Sequence, residues 1–219
     1  MSSDRRTTRL ALHAVAEQII AGHQWRALGT IRLTVRPYGF SSRDLPTPPH
    51  RLAVDGTDLV VGDHRLALAG SLGALAAAAG VACRGPEGVY PLALTLGPDD
   101  ELRVDAEAAG EMSRAWVLGD SVLRAFGSLH HRGGLEPVLW PEHLDVAVSL
   151  DEVNYGVSPG DEAIPEPYAY VGPHRRRAGE FWNAPFGASL PMSETSAAAL
   201  RSFFEEGRTR ARTDPFADG

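Results

Sequence analysis

Lysine is absent from this 219-residue chain, and all 21 basic residues are arginine. Without a lysine amine there can be no Schiff-base nucleophile and no phosphate-binding P-loop lysine. Cysteine occurs once, at Cys83, which excludes an internal disulfide and a cysteine-rich zinc site and fits a reducing cytoplasm. Clustered positive charge is also missing. The net charge is −7 and the densest basic run is Arg175-Arg176-Arg177, read as a solvated loop, so neither a nucleic-acid surface nor an anionic-membrane surface is expected. The one long uncharged run, residues 66–83, is dominated by alanine and interrupted by Gly70, Ser71, Gly73 and Gly80, so no membrane span is expected either.

What is present is 43% hydrophobic content, enough for one sizeable core. Strands in runs, separated by a few helices without βαβ alternation, predict a single α+β domain over 1–219, with loose termini at about 1–6 and 208–219. A helix is expected over 7–22, with Leu12, Val15 and Ile19 on one face. His13, Glu17 and Gln18 interrupt what would otherwise resemble an apolar leader. "TIRLTVRPYGF" alternates like a half-buried strand, and Asp55-Gly56 and Gly62-Asp63 divide "RLAVDGTDLVVGDHRLAL" into short antiparallel strands. Ser71 is placed to cap a short helix over 72–79 that Gly80 ends. "YPLALTL" and "ELRVD" read as two more strands. Over 106–129, Met112, Trp116, Gly119, Leu123 and Phe126 form an apolar stripe at helical spacing, which makes this the long central helix and a core element. "EPVLWPEHLDVAVSL" reads as a strand, and "SETSAAALRSFFEEG" as a C-terminal helix capped by Ser193.

Gly156-Val157-Ser158-Pro159-Gly160 matches the G-x-S-x-G of serine hydrolases. A nucleophile elbow uses the backbone N–H of the residue after the serine, and Pro159 has none. Ser158 to Asp161 is therefore read as a tight turn with positive φ at Gly160. Gly119-Asp120-Ser121 lies mid-helix with no Asp-x-x-His after it, and His130-His131 suits a helix C-terminus electrostatically.

Two constellations carry chemistry. His143-x-Asp145 with the distal His174 is the pattern of a two-His-one-carboxylate iron site, provided a strand puts His143 and Asp145 on one face about 7 Å apart. The other is the block 140–187, which holds both asparagines of the chain, Asn154 and Asn183, with Asp145, Asp161, Glu166, Tyr168 and Tyr170. Alternation puts the two tyrosines on one strand face. Amides that donate and accept, carboxylates that orient a hydroxyl or amine, and an aromatic wall are the parts of a small-molecule pocket, although an amide can equally tie two loops together.

A helix near "LHAVAEQIIAG", a "TIRLTV" strand, and a C-terminal block with "LWPEHLDVAVSL", "YGVSPGD" and "EPYAYVGP" resemble a bacterial family defined by a domain of unknown function, over residues of about 10 to 190. The resemblance implies one domain and brings no activity, substrate or catalytic residue.

The reading preferred from the sequence is a cytoplasmic small-molecule-binding protein or enzyme whose pocket is built by 140–187, with Asp145, Asn154, Asp161, Glu166, Tyr168, Tyr170 and Asn183 as ligand-binding residues. A structural or interaction module without catalysis, and a non-haem-iron type enzyme using His143, Asp145 and His174, stay open beside it. No motif names a cofactor or an oligomeric state.

Overall fold

Residues 2–28 are helical throughout: α1 (Ser2–Ala14), a seven-residue π-helix (Val15–Ala21) and α2 (Gly22–Leu28) follow without a break. In this computed structural model, which describes residues 2–217, the helix thus starts earlier and ends later than the apolar pattern predicts. Arg5 anchors the early turns to Glu111 at 3.0 Å. Gly29 ends the run, its φ of 67° lying in the left-handed region that a glycine C-cap supplies. Leu12, Val15 and Ile19 are buried, but so are Ala11, Ala14, Ala16 and Ile20. From 11 to 22 every residue is buried, so this stretch is a core helix and its polar residues are buried with it.

The fold is α+β, as the sequence predicts, and the chain clusters into two compact units: residues 1–114 with 139–144, and residues 115–138 with 145–219. In the first unit, β1 (Thr34–Arg36), β2 (Gly39–Ser41), β3 (Leu52–Asp55), β4 (Asp58–Val61) and β5 (His64–Ala67) form an antiparallel meander in sequence order. The turns fall at Gly56 and Gly62, both at positive φ. The run "TIRLTVRPYGF" is two strands rather than one, because Pro37 and Tyr38 turn the chain between β1 and β2. β6 (Gly70–Ser71) leads into α3 (Leu72–Ala78), where the Ser71 hydroxyl accepts from the Ala74 N–H at 3.2 Å. β6 pairs with β7 (Glu101–Leu102), so "ELRVD" contributes two strand residues and "YPLALTL" none.

α4 (Ala106–His130) is the long helix, and Met112, Trp116, Leu123 and Phe126 on its stripe are all buried. The expected strand at "EPVLWPEHLDVAVSL" is split by a turn at 141–144 into β8 (Val138–Trp140) and β9 (Asp145–Leu150). β10 (Val153–Ser158), β11 (Tyr168–Pro173) and β12 (Ala188–Pro191) complete a sheet of order β12-β11-β10-β9-β8. In the second unit, Val146, Val157 and Val171 turn one face of this sheet onto helices. A Cβ on Gly119 of α4 would lie 2.7 Å from Val157, and one on Gly207 of α5 (Ala197–Thr213) 2.6 Å from Val171. Phe126, Tyr155 and Phe204 fill the same layer, with ring centroids 4.8 to 6.0 Å apart. Such aromatic pairs contribute about 0.5–1.5 kcal/mol beyond area burial.

The cap of α5 is Ser196, whose hydroxyl accepts from the Ala199 N–H at 3.2 Å; Ser193 lies a turn too early. Nor is 208–217 loose. α5 continues to Thr213, Arg208 and Arg212 reach Asp151 in the β9–β10 turn, and the Trp182 indole donates to Asp214 at 3.0 Å. The basic run lies in a loop with Arg175 and Arg176 exposed, and the guanidinium groups of Arg175 and Arg177 stack on Phe216. Positions 1, 218 and 219 lie outside the described residues.

Candidate functional site

The register of β9, β10 and β11 decides which residues share the face opposite the helices. Asp145 heads β9, Gly156 lies across from Tyr170, and Ser158 lies across from Tyr168. Asp145 is only 5% exposed and accepts a hydrogen bond from the Tyr170 hydroxyl. Tyr170 reaches it by lying flat over Gly156, where a Cβ would come within 2.6 Å of the phenol carbon and oxygen. The Tyr168 hydroxyl donates to Asp161 at 2.6 Å, and Asp161 is itself fixed by the N–H groups of Ala163 and Ile164, both at 2.7 Å. Burial, and then the bond to Asp161, push the Tyr168 phenol well above its ordinary range, so it remains a neutral donor. Phe186 stacks on Tyr168 at 5.8 Å and meets Tyr170 edge-on at 6.3 Å.

These four side chains form two adjacent phenol–carboxylate pairs with an aromatic wall. Each phenol oxygen, its proton committed to a carboxylate, keeps lone pairs that can accept from a hydroxyl or amine. The rings offer flat apolar area beside them.

Asp145, Asp161, Tyr168 and Tyr170 thus lie together on this face, while three other residues named from the sequence are not part of the cluster. The Asn154 carbonyl accepts from Ser149 at 2.6 Å and lies 3.5 Å from His174, a tie between neighbouring strands. Asn183 clamps both backbone groups of Ser189, at 2.8 and 3.1 Å. Glu166 is exposed in the loop before β11. The iron arrangement fails on its premise. Leu144, at φ 56°, breaks the extended run, so His143 sits in a turn and shares no strand face with Asp145. Among the described residues no three His, Cys, Asp or Glu side chains gather to hold a metal ion. Ser158 ends β10 and accepts from the Gly160 N–H at 3.1 Å, with Gly160 at φ 105°, which is the turn chemistry expected of it.

The sequence reading missed a second polar cluster, in the first unit. The π-helix buries Glu17 and Gln18 completely or nearly so. The Glu17 carboxylate accepts from the N–H groups of Ala93 and Leu94 at 2.9 and 3.1 Å, and the Gln18 amide donates to the Leu96 carbonyl at 2.6 Å. "YPLALTL" is therefore a strap held by side chains, with Leu94 at φ 45°, and has no strand neighbour. The detectable signal was His13, Glu17 and Gln18 set into the apolar stretch 10–22.

An open groove of about 500 Å³ also lies in the first unit, lined by Asp4, Thr7, Leu68, Leu102, Arg103 and Asp105 among others. Its Thr8 and Asp105 are spent on capping the start of α4, and none of the predicted site residues borders it. No helix among the described residues is long and apolar enough to cross a membrane; residues 66–83 supply β6 and α3 instead. Comparison with protein-family models, with curated proteins and with solved structures finds no match for this chain.

Proposed function

We propose that the protein binds a small organic molecule bearing hydroxyl or amine donors on the sheet face made by Asp145, Tyr170, Tyr168 and Asp161. The observation that carries this reading is the Tyr170–Asp145 pair. A phenol is laid across a glycine so that it can reach a carboxylate that the fold has taken out of water. Burying a carboxylate is costly, and an apolar side chain would fill the same place at lower cost, so the pair points to a function beyond packing. The other function class, a structural module, accounts for Asn154 and Asn183, which close loops, but gives no reason for two phenol–carboxylate pairs side by side. The single half-buried Cys83 and the negative net charge favour a cytoplasmic setting and a small-molecule partner in preference to nucleic acid.

The test is a thermal-shift screen against polyols, amino compounds and other polar metabolites, repeated on Tyr170→Phe and Asp145→Asn. A ligand present at a hundred times its Kd stabilises by about 2.7 kcal/mol, or roughly 5–10 °C for a chain of this size. We expect at least one compound to raise Tm saturably, with affinity weakened tenfold or more in both variants. A screen without hits, or a hit indifferent to both substitutions, refutes the proposal.

A further inference from the structure

The buried cluster on the π-helix has a composition that packing alone does not require. All seven residues of Val15–Ala21 are buried, and π-helical segments are rare and recur at functional sites. Glu17 is 0% exposed; among the described residues no arginine or histidine forms a salt bridge with it, and its donors are the two strap N–H groups, with the Tyr90 hydroxyl facing the same carboxylate. Such neutral donors orient the carboxylate without supplying a positive charge of their own.

Two further acceptors lie beside it. His13 is 8% exposed, its ring lies against the Pro141 carbonyl and Nε2 has no partner among the described residues, so the tautomer protonated on Nδ1 leaves a lone pair at Nε2. Burial holds the His13 pKa below its ordinary value, with Arg9 and His143 acting in the same direction and Glu17 opposing, so the ring is neutral at pH 7. The Tyr90 hydroxyl is buried near Glu142 with its proton directed toward the Glu17 carboxylate, and its oxygen accepts no hydrogen bond among the described residues. An anion would be repelled by Glu17 and Glu142, and a neutral guest would leave the charge of Glu17 uncompensated. A quaternary cation has no N–H to offer Nε2.

We propose that Glu17, His13 and Tyr90 form a binding site for a primary ammonium group beneath the strap of residues 84–96. The group supplies a positive charge for Glu17 and separate N–H donors for Nε2 of His13 and the Tyr90 oxygen. Its source is either free ammonium ion or the head of an alkylamine.

Thermal shift and calorimetry with ammonium, methylammonium, potassium and tetramethylammonium chlorides at one ionic strength and near-neutral pH test the site on the full chain. We expect saturable stabilisation by ammonium that potassium and tetramethylammonium do not reproduce. It should weaken at least tenfold in Glu17→Gln and at least threefold in Tyr90→Phe. Equal response to methylammonium assigns the site to an amine head, and response to ammonium alone assigns it to the free ion. Tyr90→Phe leaves both strap bonds of Glu17 intact, so it carries the test if Glu17→Gln does not fold. An equal effect of potassium, no saturable effect of any salt, which would leave structural water as the only guest, or unchanged binding in Tyr90→Phe overturns the proposal.

Discussion

Gly156→Ala separates the geometry of the candidate site from its chemistry, because it alters neither Asp145 nor Tyr170. The new methyl carbon would stand 2.6 Å from the phenol carbon and oxygen of Tyr170. Ordinary carbon contact begins near 3.5 Å, so the ring tip must retreat by about 1 Å. That displacement takes the hydroxyl out of hydrogen-bond range of Asp145. A hydrogen bond to a charged group contributes about 1.5–3 kcal/mol, and removing glycine from a strand interior returns about 0.5–1 kcal/mol. The net loss should be about 1–2 kcal/mol, or roughly 2–8 °C in Tm. Tyr170→Phe deletes the same bond and should cost about 1.5–3 kcal/mol alone, but close to nothing in the Gly156→Ala background. Urea unfolding of the four proteins of this double-mutant cycle measures the coupling. Additivity within about 0.5 kcal/mol would show that Gly156 does not act through the Tyr170–Asp145 bond, and a neutral Gly156→Ala would show that the ring is not held there at all.

Two titrations follow from the same structure. The pKa of His13 is lowered in the folded state by burial, so the unfolded chain binds a proton more readily. Its contribution to stability is complete above pH 6.5 and is lost as pH falls through the lowered value. In His13→Gln the slope of unfolding free energy below pH 6.5 should be shallower by up to about 1.4 kcal/mol per pH unit, with His23, also lowered by burial, keeping some slope in the variant. Parallel curves for the two proteins would refute the assignment. In alkaline spectrophotometric titration, Tyr90, Tyr155 and Tyr168, all raised chiefly by burial, should stay protonated until the protein unfolds. Reversible ionisation of all five tyrosines with unchanged circular dichroism would contradict the burial described here.

Elements specified by neighbours in sequence were legible. The β3–β4–β5 meander follows from Asp55-Gly56 and Gly62-Asp63, α3 from Ser71 and Gly80, and α4 from its stripe, each a signal contained within the element itself. The failures depend on partners far along the chain. "YPLALTL" has strand-like composition, but the N–H groups of Ala93 and Leu94 go to the side chain of Glu17, more than seventy residues away. The end of α5 appears loose until Asp151, in a distant turn, is seen to receive Arg208 and Arg212. Ser193 and Ser196 are equivalent as local cap signals. The structure decides for Ser196, since residues 192–195 already form a turn closed by the bond from the Thr195 N–H to the Met192 carbonyl.

The candidate site was legible as a region but not residue by residue, and the reason lies in how polar groups are used. Asn154 and Asn183 drew attention by their scarcity, yet Asn183 satisfies the backbone donor and acceptor of Ser189 together and the Asn154 amide oxygen accepts from the Ser149 hydroxyl, so both tie strands and loops. An ionised carboxylate only accepts, so it cannot satisfy a backbone donor and acceptor together. Asp145 accepts a phenol, Asp161 a phenol and two backbone N–H groups, and Glu17 two backbone N–H groups. Meanwhile many of the arginines go to surface pairs such as Arg65 with Asp55 and Asp58, or Arg124 with Asp120. Neutral donors fix a carboxylate in place without cancelling its charge, whereas an arginine would do both. Orientation without neutralisation suits a group that must still attract a ligand, which is why the two proposals are to be tested at carboxylates such as Glu17, held by two backbone N–H groups, and not at the rarer asparagines.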